Sequence, residues 1–339
     1  MNLLFISLFL LGAVNCQKVV VPFVKVYRNE SSGNHLIILE QPASNSSVKI
    51  LAYGSHIISW KQNGVEKLFC SSLSPLDGSR PIRGGIPIVF PQFAGLAPAT
   101  VLAGNSLNRS QILPLHGFAR NSIWRYRGHN IKRLDKSIMV TMSLDHTRIP
   151  INASRIWPFA FQSKLRVKLD FDGRLSMNLT VVNKDTSPFT FDVLFHNYFA
   201  VSQIRNVVVG GLANTTFIDK TRNFTLAMEP NAGYRSYSSF TDNVYHAFKL
   251  DKLTLFDLPK APSTKLIRAL SLEKFNLKSI VTWNPFERRT DDLAPGDSER
   301  FLAIEFGTVG KLVESYGNPV SLDPGQEWVG GQTFSSNSG

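Results

Sequence analysis

The chain has 339 residues, 43% of them hydrophobic and 18% charged. That excludes a disordered chain and supplies material for a large core, while no apolar run reaches the ~20 residues of a membrane-spanning helix. Lys and Arg number 37 against 25 acidic residues, a formal charge of +12, which suits an anionic ligand. The basic residues fall in short groups (125–127, 132–133, 288–289) with no zinc-finger or basic-helix pattern, so nucleic acid is not an expected partner.

In chain order, residues 3–14 are apolar apart from Ser7 and Gly12 and lead to Asn15 and Cys16. This reads as a secretory signal over residues 1–16, cut after Cys16, although no Lys or Arg precedes the apolar run. Residues 17–339 are then expected to form one domain. Cleavage would leave Cys70 without a partner, so a secreted chain is expected to be held by its core and not by a disulfide. Seven Asn-x-Ser/Thr sequons follow, at Asn29, Asn45, Asn108, Asn152, Asn178, Asn214 and Asn223. Together they support a secreted location and predict surface positions.

Alternating patterns predict strands over residues 19–27, 36–39, 48–53, 56–62 and 65–70, the last two joined by an Asn63-Gly64 turn. Further strands are expected at 122–127, 138–144, 164–171, 175–181, 190–195, 206–209, 266–269, 279–283 and 301–305. In 164–171, Leu165, Val167, Leu169 and Phe171 share one face, and Asp172-Gly173 suggests a two-residue hairpin. Helical periodicity is hard to find for more than two turns. Turn signals every ~8–12 residues predict an all-β fold, a sandwich or barrel. The loop-rich stretch 71–115 is where function is expected.

No two of the seven His residues lie at a ligand spacing and no carboxylate cluster accompanies them, so no metal is expected. A Gly-x-Ser-x-Gly elbow, a P-loop and a Gly-x-Gly-x-x-Gly are all missing. What stands out is polar residues in apolar surroundings: Arg83 beside Gly84 and Gly85, His116 and Arg120 ahead of Trp124, His196 between Phe195 and Tyr198, and Glu305 on an apolar strand. The glycines would let a ligand approach the backbone, and the guanidinium could fork onto phosphate or sugar hydroxyls. Each His could equally be a hydrogen-bonded core residue, each Arg a loop tie or an ion pair with an acid such as Asp77, and Glu305 an ion-pair member.

The strings PIRGGIPIVFP (81–91), GSHIISW (54–60), HGFAR (116–120), LFHNYFAV (194–201), VTWNP (281–285) and IE (304–305) resemble the glucose-6-phosphate 1-epimerase family, the hexose-phosphate mutarotases. The resemblance implies a large antiparallel β-sandwich of the galactose mutarotase-like type. It implies interconversion of the α and β anomers of an aldohexose or its 6-phosphate, with no cofactor, by a monomer. His196 would protonate the ring oxygen and Glu305 would take the proton of the anomeric hydroxyl. His116 would bond the ring side of the sugar, Arg83 and Arg120 its polar or phosphate groups, and Asp219 its hydroxyls. Two positions depart from the family: Leu115 stands where Gln is common, and Asn197 where Thr is. They leave room for a different expectation, a secreted carbohydrate-binding protein without turnover. For catalysis the reading expects an acid and a base on opposite sides of the sugar.

Overall fold

The computed structural model describes residues 21–95, 113–132, 134–246, 250–258, 268–310 and 317–337. The signal-like segment and Asn108 lie outside them. In chain order the strands are β1 (Phe23–Tyr27), β2 (Leu36–Gln41), β3 (Ser46–Leu51), β4 (His56–Gln62), β5 (Val65–Glu66), β6 (Ile88–Val89), β7 (Arg125–Lys132) and β8 (Ser137–Asp145). After the short helix α1 (Ile151–Ile156) come β9 (Phe161–Leu169), β10 (Leu175–Asn183), β11 (Phe189–Phe191), β12 (Val193–Phe195), β13 (Tyr198–Ala200), β14 (Val207–Gly210), β15 (Thr216–Asp219), β16 (Thr225–Met228) and β17 (Tyr234–Ser236). The remainder are β18 (Thr241–His246), β19 (Lys252–Asp257), β20 (Arg268–Phe275), β21 (Ser279–Asn284), β22 (Phe301–Thr308), β23 (Val320–Leu322) and β24 (Glu327–Asn337).

These strands build an antiparallel sandwich, the fold class the alternation and the resemblance both imply. A nine-stranded sheet runs β17-β14-β19-β20-β24-β10-β9-β8-β7. An eight-stranded sheet runs β16-β15-β18-β21-β22-β12-β6, with β13 also on β22. A five-stranded sheet, β1 to β5, closes the side. The strands alternate because each sheet has a core face and an outer face. In β9, Leu165, Val167 and Leu169 are fully buried, while Arg166 is exposed. The sheets meet at Phe334 of β24, whose ring lies 6.0 Å from Trp60 of β4, 5.0 Å from Phe199 of β13 and 6.3 Å from Phe306 of β22.

The Asn63-Gly64 turn is a two-residue hairpin, with Gln62 paired to Val65 and φ of 52° and 75° at its two residues, as a type I′ turn requires. The Asp172-Gly173 turn is longer than expected. Gly173 N–H bonds Asp170 O at 3.0 Å and Asp170 N–H bonds Arg174 O at 2.9 Å, so residues 171–173 form the loop. Phe171 belongs to that loop and is 57% exposed, off the face shared by Leu165, Val167 and Leu169.

The expected strand 65–70 ends at Glu66. There a carboxylate oxygen accepts Trp60 N–H at 2.9 Å and Leu68 N–H at 3.2 Å, taking the place of one ladder bond to β4, while Lys67 N–H still bonds Trp60 O at 2.9 Å. Strand 122–127 is displaced to β7, because Trp124 N–H is spent on Ala52 O at 2.8 Å. The longest strand, β24, escaped the sequence reading: Gly330, Gly331 and a Ser-rich end give it little strand character. Pairing to β10 on one side and β20 on the other supplies what propensity does not.

Candidate active site

The site forms where the eight-stranded sheet is interrupted. Phe195 at the end of β12 pairs with Phe306, and Tyr198 at the start of β13 pairs with Ala303, both on β22. His196 and Asn197 fall in the gap, opposite Ile304 and Glu305. His196 N–H is bonded to Pro87 O at 3.0 Å and Tyr198 N–H to Gly85 O at 3.0 Å, so the Arg83–Pro87 loop holds the interrupted segment from its other side. Freed from the ladder, the His196 ring meets the Glu305 carboxyl. Nε2 and Oε1 are 3.3 Å apart, with side chains 8% and 2% exposed.

Burial decides the protonation of this pair. It pushes the Glu305 carboxyl well above the usual carboxylate range, and Asp242 pushes the same way against Lys220 and Arg83. Burial also holds the His196 imidazole well below its ordinary range, with His116, Arg83 and Arg120 adding to the effect. A protonated carboxyl beside a neutral imidazole carries the same single proton as a carboxylate beside an imidazolium. The pair therefore acts as one unit with one proton to exchange. Among the described residues, His196 Nδ1 and Glu305 Oε2 have no hydrogen-bond partner.

Tyr198 stacks on His196, with ring centroids 4.5 Å apart and planes 4° from parallel. Its hydroxyl lies 3.4 Å from His196 Nε2 and accepts a bond from Arg83 Nη1 at 2.9 Å. With that acceptor position filled, the phenolic proton is free to point at the pair. Trp283, on β21, presents its ring edge-on to His196 at 6.2 Å.

Arg83 is engaged at all three of its guanidinium nitrogens. Its Nε donates to Asp292 at 2.8 Å and Nη2 to the same oxygen at 2.8 Å. Its guanidinium lies over Trp283, 5.2 Å from the ring centroid. The partner is Asp292, not the Asp77 that sequence proximity suggests. Nor do the glycines beside Arg83 make room for a ligand. A Cβ on Gly84 would strike Cys70 and the Phe69 carbonyl, and one on Gly85 the Ile57 carbonyl. What approaches these glycines is the chain's own backbone, and His56 fixes the loop through Nε2 to Gly84 O at 2.7 Å.

His116 sits at φ 64°, in the left-handed region that is costly for a residue with a Cβ. It is held there by a reciprocal pair with Ala94: His116 N–H bonds Ala94 O at 3.1 Å, and Ala94 N–H donates to His116 Nδ1 at 3.3 Å. The Nδ1 is thus an acceptor, and the neutral ring carries its proton on Nε2. Burial, then Arg120, Lys220 and Arg83, push its pKa down to about 3, so it is a permanent neutral donor. Its ring is 5.7 Å from His196, edge to face.

Arg120 gives Nη2 to Leu115 O at 2.9 Å, while its buried Nε has no partner among the described residues. Burial is the main cause lowering its pKa. The Leu115 side chain is 53% exposed, so this departure contributes its carbonyl to Arg120 and not an apolar floor. Asn197 points the other way, into the sandwich, and is fully buried.

The structure brings His196, Glu305, His116, Arg83 and Arg120 into one constellation. Asp219 is placed differently. Its carboxylate caps the turn that follows β15, accepting Thr221 N–H at 2.9 Å and Thr221 Oγ1–H at 2.6 Å. The next residue, Lys220, reaches toward the site: its Nζ binds both oxygens of Asp242, at 3.0 and 2.8 Å, and lies 5.3 Å from the Phe93 ring centroid. Tyr198, Trp283, Asp292, Lys220 and Asp242 were not singled out in the sequence. Trp283 lies in the quoted string VTWNP, and Tyr198 stands two residues after His196 and so on the same side of an extended chain.

The described side chains thus place a buried imidazole–carboxyl contact beside aromatic rings and cations in an antiparallel sandwich. A family model described as aldose 1-epimerase matches residues 35–335. A protein of Cenchrus ciliaris named "putative glucose-6-phosphate 1-epimerase" is 30% identical over 316 residues, 91% of this chain and 86% of that one. One of Salmonella typhimurium with the same name is 28% identical over 255 residues, 74% of each chain. The chain belongs to the aldose 1-epimerase family and is an isomerase of the epimerase class. Among solved structures, "a putative mutarotase" from Salmonella typhimurium superposes with a TM-score of 0.72 at 23% identity, covering 92% of this chain and 93% of that one. A galactose 1-epimerase from Lactobacillus acidophilus gives 0.65 at 15%, covering 93% and 98%. Both likenesses concern the fold.

Proposed function

We propose that this enzyme interconverts the α and β anomers of a hexose 6-phosphate by acid/base ring opening at His196 and Glu305. The observation that carries the proposal is the 3.3 Å contact between two buried titratable groups. Opening a pyranose moves one proton onto the ring oxygen and removes one from the anomeric hydroxyl, and both oxygens are bonded to the same carbon. The acid and base must each reach an oxygen on that one carbon, and two groups in contact lie close enough together to do so. One proton leaves the anomeric hydroxyl for the pair as another passes from the pair to the ring oxygen. The C1–ring oxygen bond breaks, the aldehyde turns, and the reverse steps close the other face. Each transfer is worth about 10²–10⁴-fold, and no step calls on a metal or redox group.

His116 Nε2–H would hold the ring side of the sugar. Arg120 is the phosphate ligand of choice, because its Nε is buried without a partner among the described residues, whereas all three guanidinium nitrogens of Arg83 already contact Asp292 or Tyr198. Asp219 would reach sugar hydroxyls only by sharing a carboxylate that already caps its own turn. The names of the relatives from Cenchrus ciliaris and Salmonella typhimurium support the phosphorylated substrate. Polarimetry on glucose 6-phosphate, glucose and galactose tests the reading: faster mutarotation of the phosphosugar is expected, and no acceleration of any of the three overturns it.

We also infer that the protein enters the secretory pathway as a glycoprotein. Five sequon residues, Asn29, Asn45, Asn152, Asn214 and Asn223, are exposed and Asn178 is half-buried, which leaves room for glycans.

A further inference from the structure

Asn197 does three things at the break between β12 and β13. Its backbone carbonyl accepts Ile304 N–H at 3.1 Å. Its side-chain Nδ2 donates to Ile304 O at 2.9 Å and to Gln332 Oε1 at 2.9 Å. Its Oδ1 accepts Gln332 Nε2–H at 2.7 Å. The amide thus supplies the bond to Ile304 that an unbroken ladder would have made, and it does so immediately after His196 and immediately before Glu305.

Gln332 comes from β24 on the opposite sheet and is 1% exposed; Asn197 is 0% exposed. The two amides face each other head to tail in the interior, and Gln332 Nε2 also contacts Met177 Sδ at 3.4 Å. Apolar side chains could fill this space, but Ile304 O would lose the bond that Asn197 gives it. A paired amide here fixes direction as well as volume, because neither group can rotate without losing bonds that water cannot replace.

We propose that Asn197, oriented by Gln332 across the sandwich, is a positioning residue that sets the separation of His196 and Glu305. The proposal rests on the acid/base reading of that pair. Neither amide touches the reacting atoms; both act by locking the backbone of Ile304 to that of the His196 segment. The nine-stranded sheet thereby becomes part of the catalytic geometry.

The test uses two variants that preserve shape and remove the polar link, Asn197→Leu and Gln332→Met. Each is read by kcat and KM for glucose 6-phosphate and by the NMR titration of the His196 ring. Asn197→Leu is expected to lower kcat about tenfold or more with KM within about twofold, since small misplacements of catalytic groups are costly in rate. Gln332→Met, which leaves the Ile304 bond in place, is expected to lower kcat by a smaller factor in the same pattern. Both should move the His196 titration. A packing role predicts wild-type kcat and titration in these shape-preserving variants, and that result overturns the proposal. Should Asn197→Leu fail to fold, Gln332→Met alone decides on the same readouts. Should the wild type turn over no aldose, the function fails instead, and the His196 titration still reports whether the amides set the pair.

Discussion

His196 and Glu305 face each other across a gap in the strand ladder, Nε2 to Oε1 at 3.3 Å, each pushed by burial toward its neutral form. A carboxyl on a fully buried strand is not an isolated charge here, because its partner can hold the proton instead. On the proposed acid/base reading, the pair is assembled before substrate arrives, and sugar binding has only to present C1 to it.

Glu305→Gln and His196→Asn should each lower kcat by about two orders of magnitude or more, measured by polarimetry. Glu305→Gln should fold with undiminished thermal stability, because it removes a group that resists ionisation where it sits. Tyr198→Phe should keep the stacking on His196 and lower kcat less, by about tenfold, with little change in KM. If Tyr198→Phe retains wild-type kcat, the phenol takes no part in the proton transfers.

The pH dependence of stability contains two opposed contributions. His56 is pushed down to about 4 by burial from an ordinary 6.5. The folded state then binds fewer protons, so this contribution is present above pH 6.5 and is lost as pH falls toward 4. Asp192 is pushed up by burial from 3.8 to about 7. Its contribution is present below 3.8 and is lost as pH rises to 7. Variants separate the two. Relative to wild type, the thermal midpoint of His56→Gln should improve as pH falls through the first window. That of Asp192→Asn should improve as pH rises through the second. Each effect is about 1.4 kcal/mol per pH unit, and a difference curve flat with pH would refute the assignment for that residue.

The two arginines should part company in calorimetric titration. Arg120→Ala is expected to weaken glucose 6-phosphate by about tenfold or more, the worth of a charge-assisted bond, with little effect on glucose. Arg83→Ala should weaken both sugars alike and lower stability, because Asp292 and Tyr198 lose their shared partner. Selective loss of the phosphosugar in Arg83→Ala would reverse these roles.

Expressed in a host with a secretory pathway, the protein should lose mass on treatment with peptide N-glycosidase. The loss should drop stepwise as Asn29, Asn45, Asn152, Asn214 and Asn223 are changed to Gln. An unchanged mass with all five intact would end the glycoprotein reading.

Period-two alternation made the fold legible wherever a strand has one buried and one open face, as in β9 and β10. It failed at β24, whose glycines pack against its neighbours, and in 65–70, where the Glu66 carboxylate ends the pairing. At the site, residue patterns marked Arg83, His116, Arg120, His196 and Glu305 as polar in apolar surroundings, but only the resemblance gathered them. Asp292 and Gln332 carried no local signal at all. Asp292 is 209 positions from Arg83 and Gln332 is 135 from Asn197, so the fold alone defines their roles. Asn197 looked like a departure that left room for binding without turnover. Its side chain instead faces away from the sugar side.

The Arg83–Asp292 pair ties two loops from distant parts of the chain at the rim of the site. Neither loop can drift alone without leaving a half-buried charge unmatched. Among descendants of this sequence, the two positions should therefore change together or stay as they are. Arg120 is bound by no such pact: among the described residues its guanidinium is held by the Leu115 carbonyl. Adaptation to a new sugar has an open route through Arg120 and a closed one through Arg83.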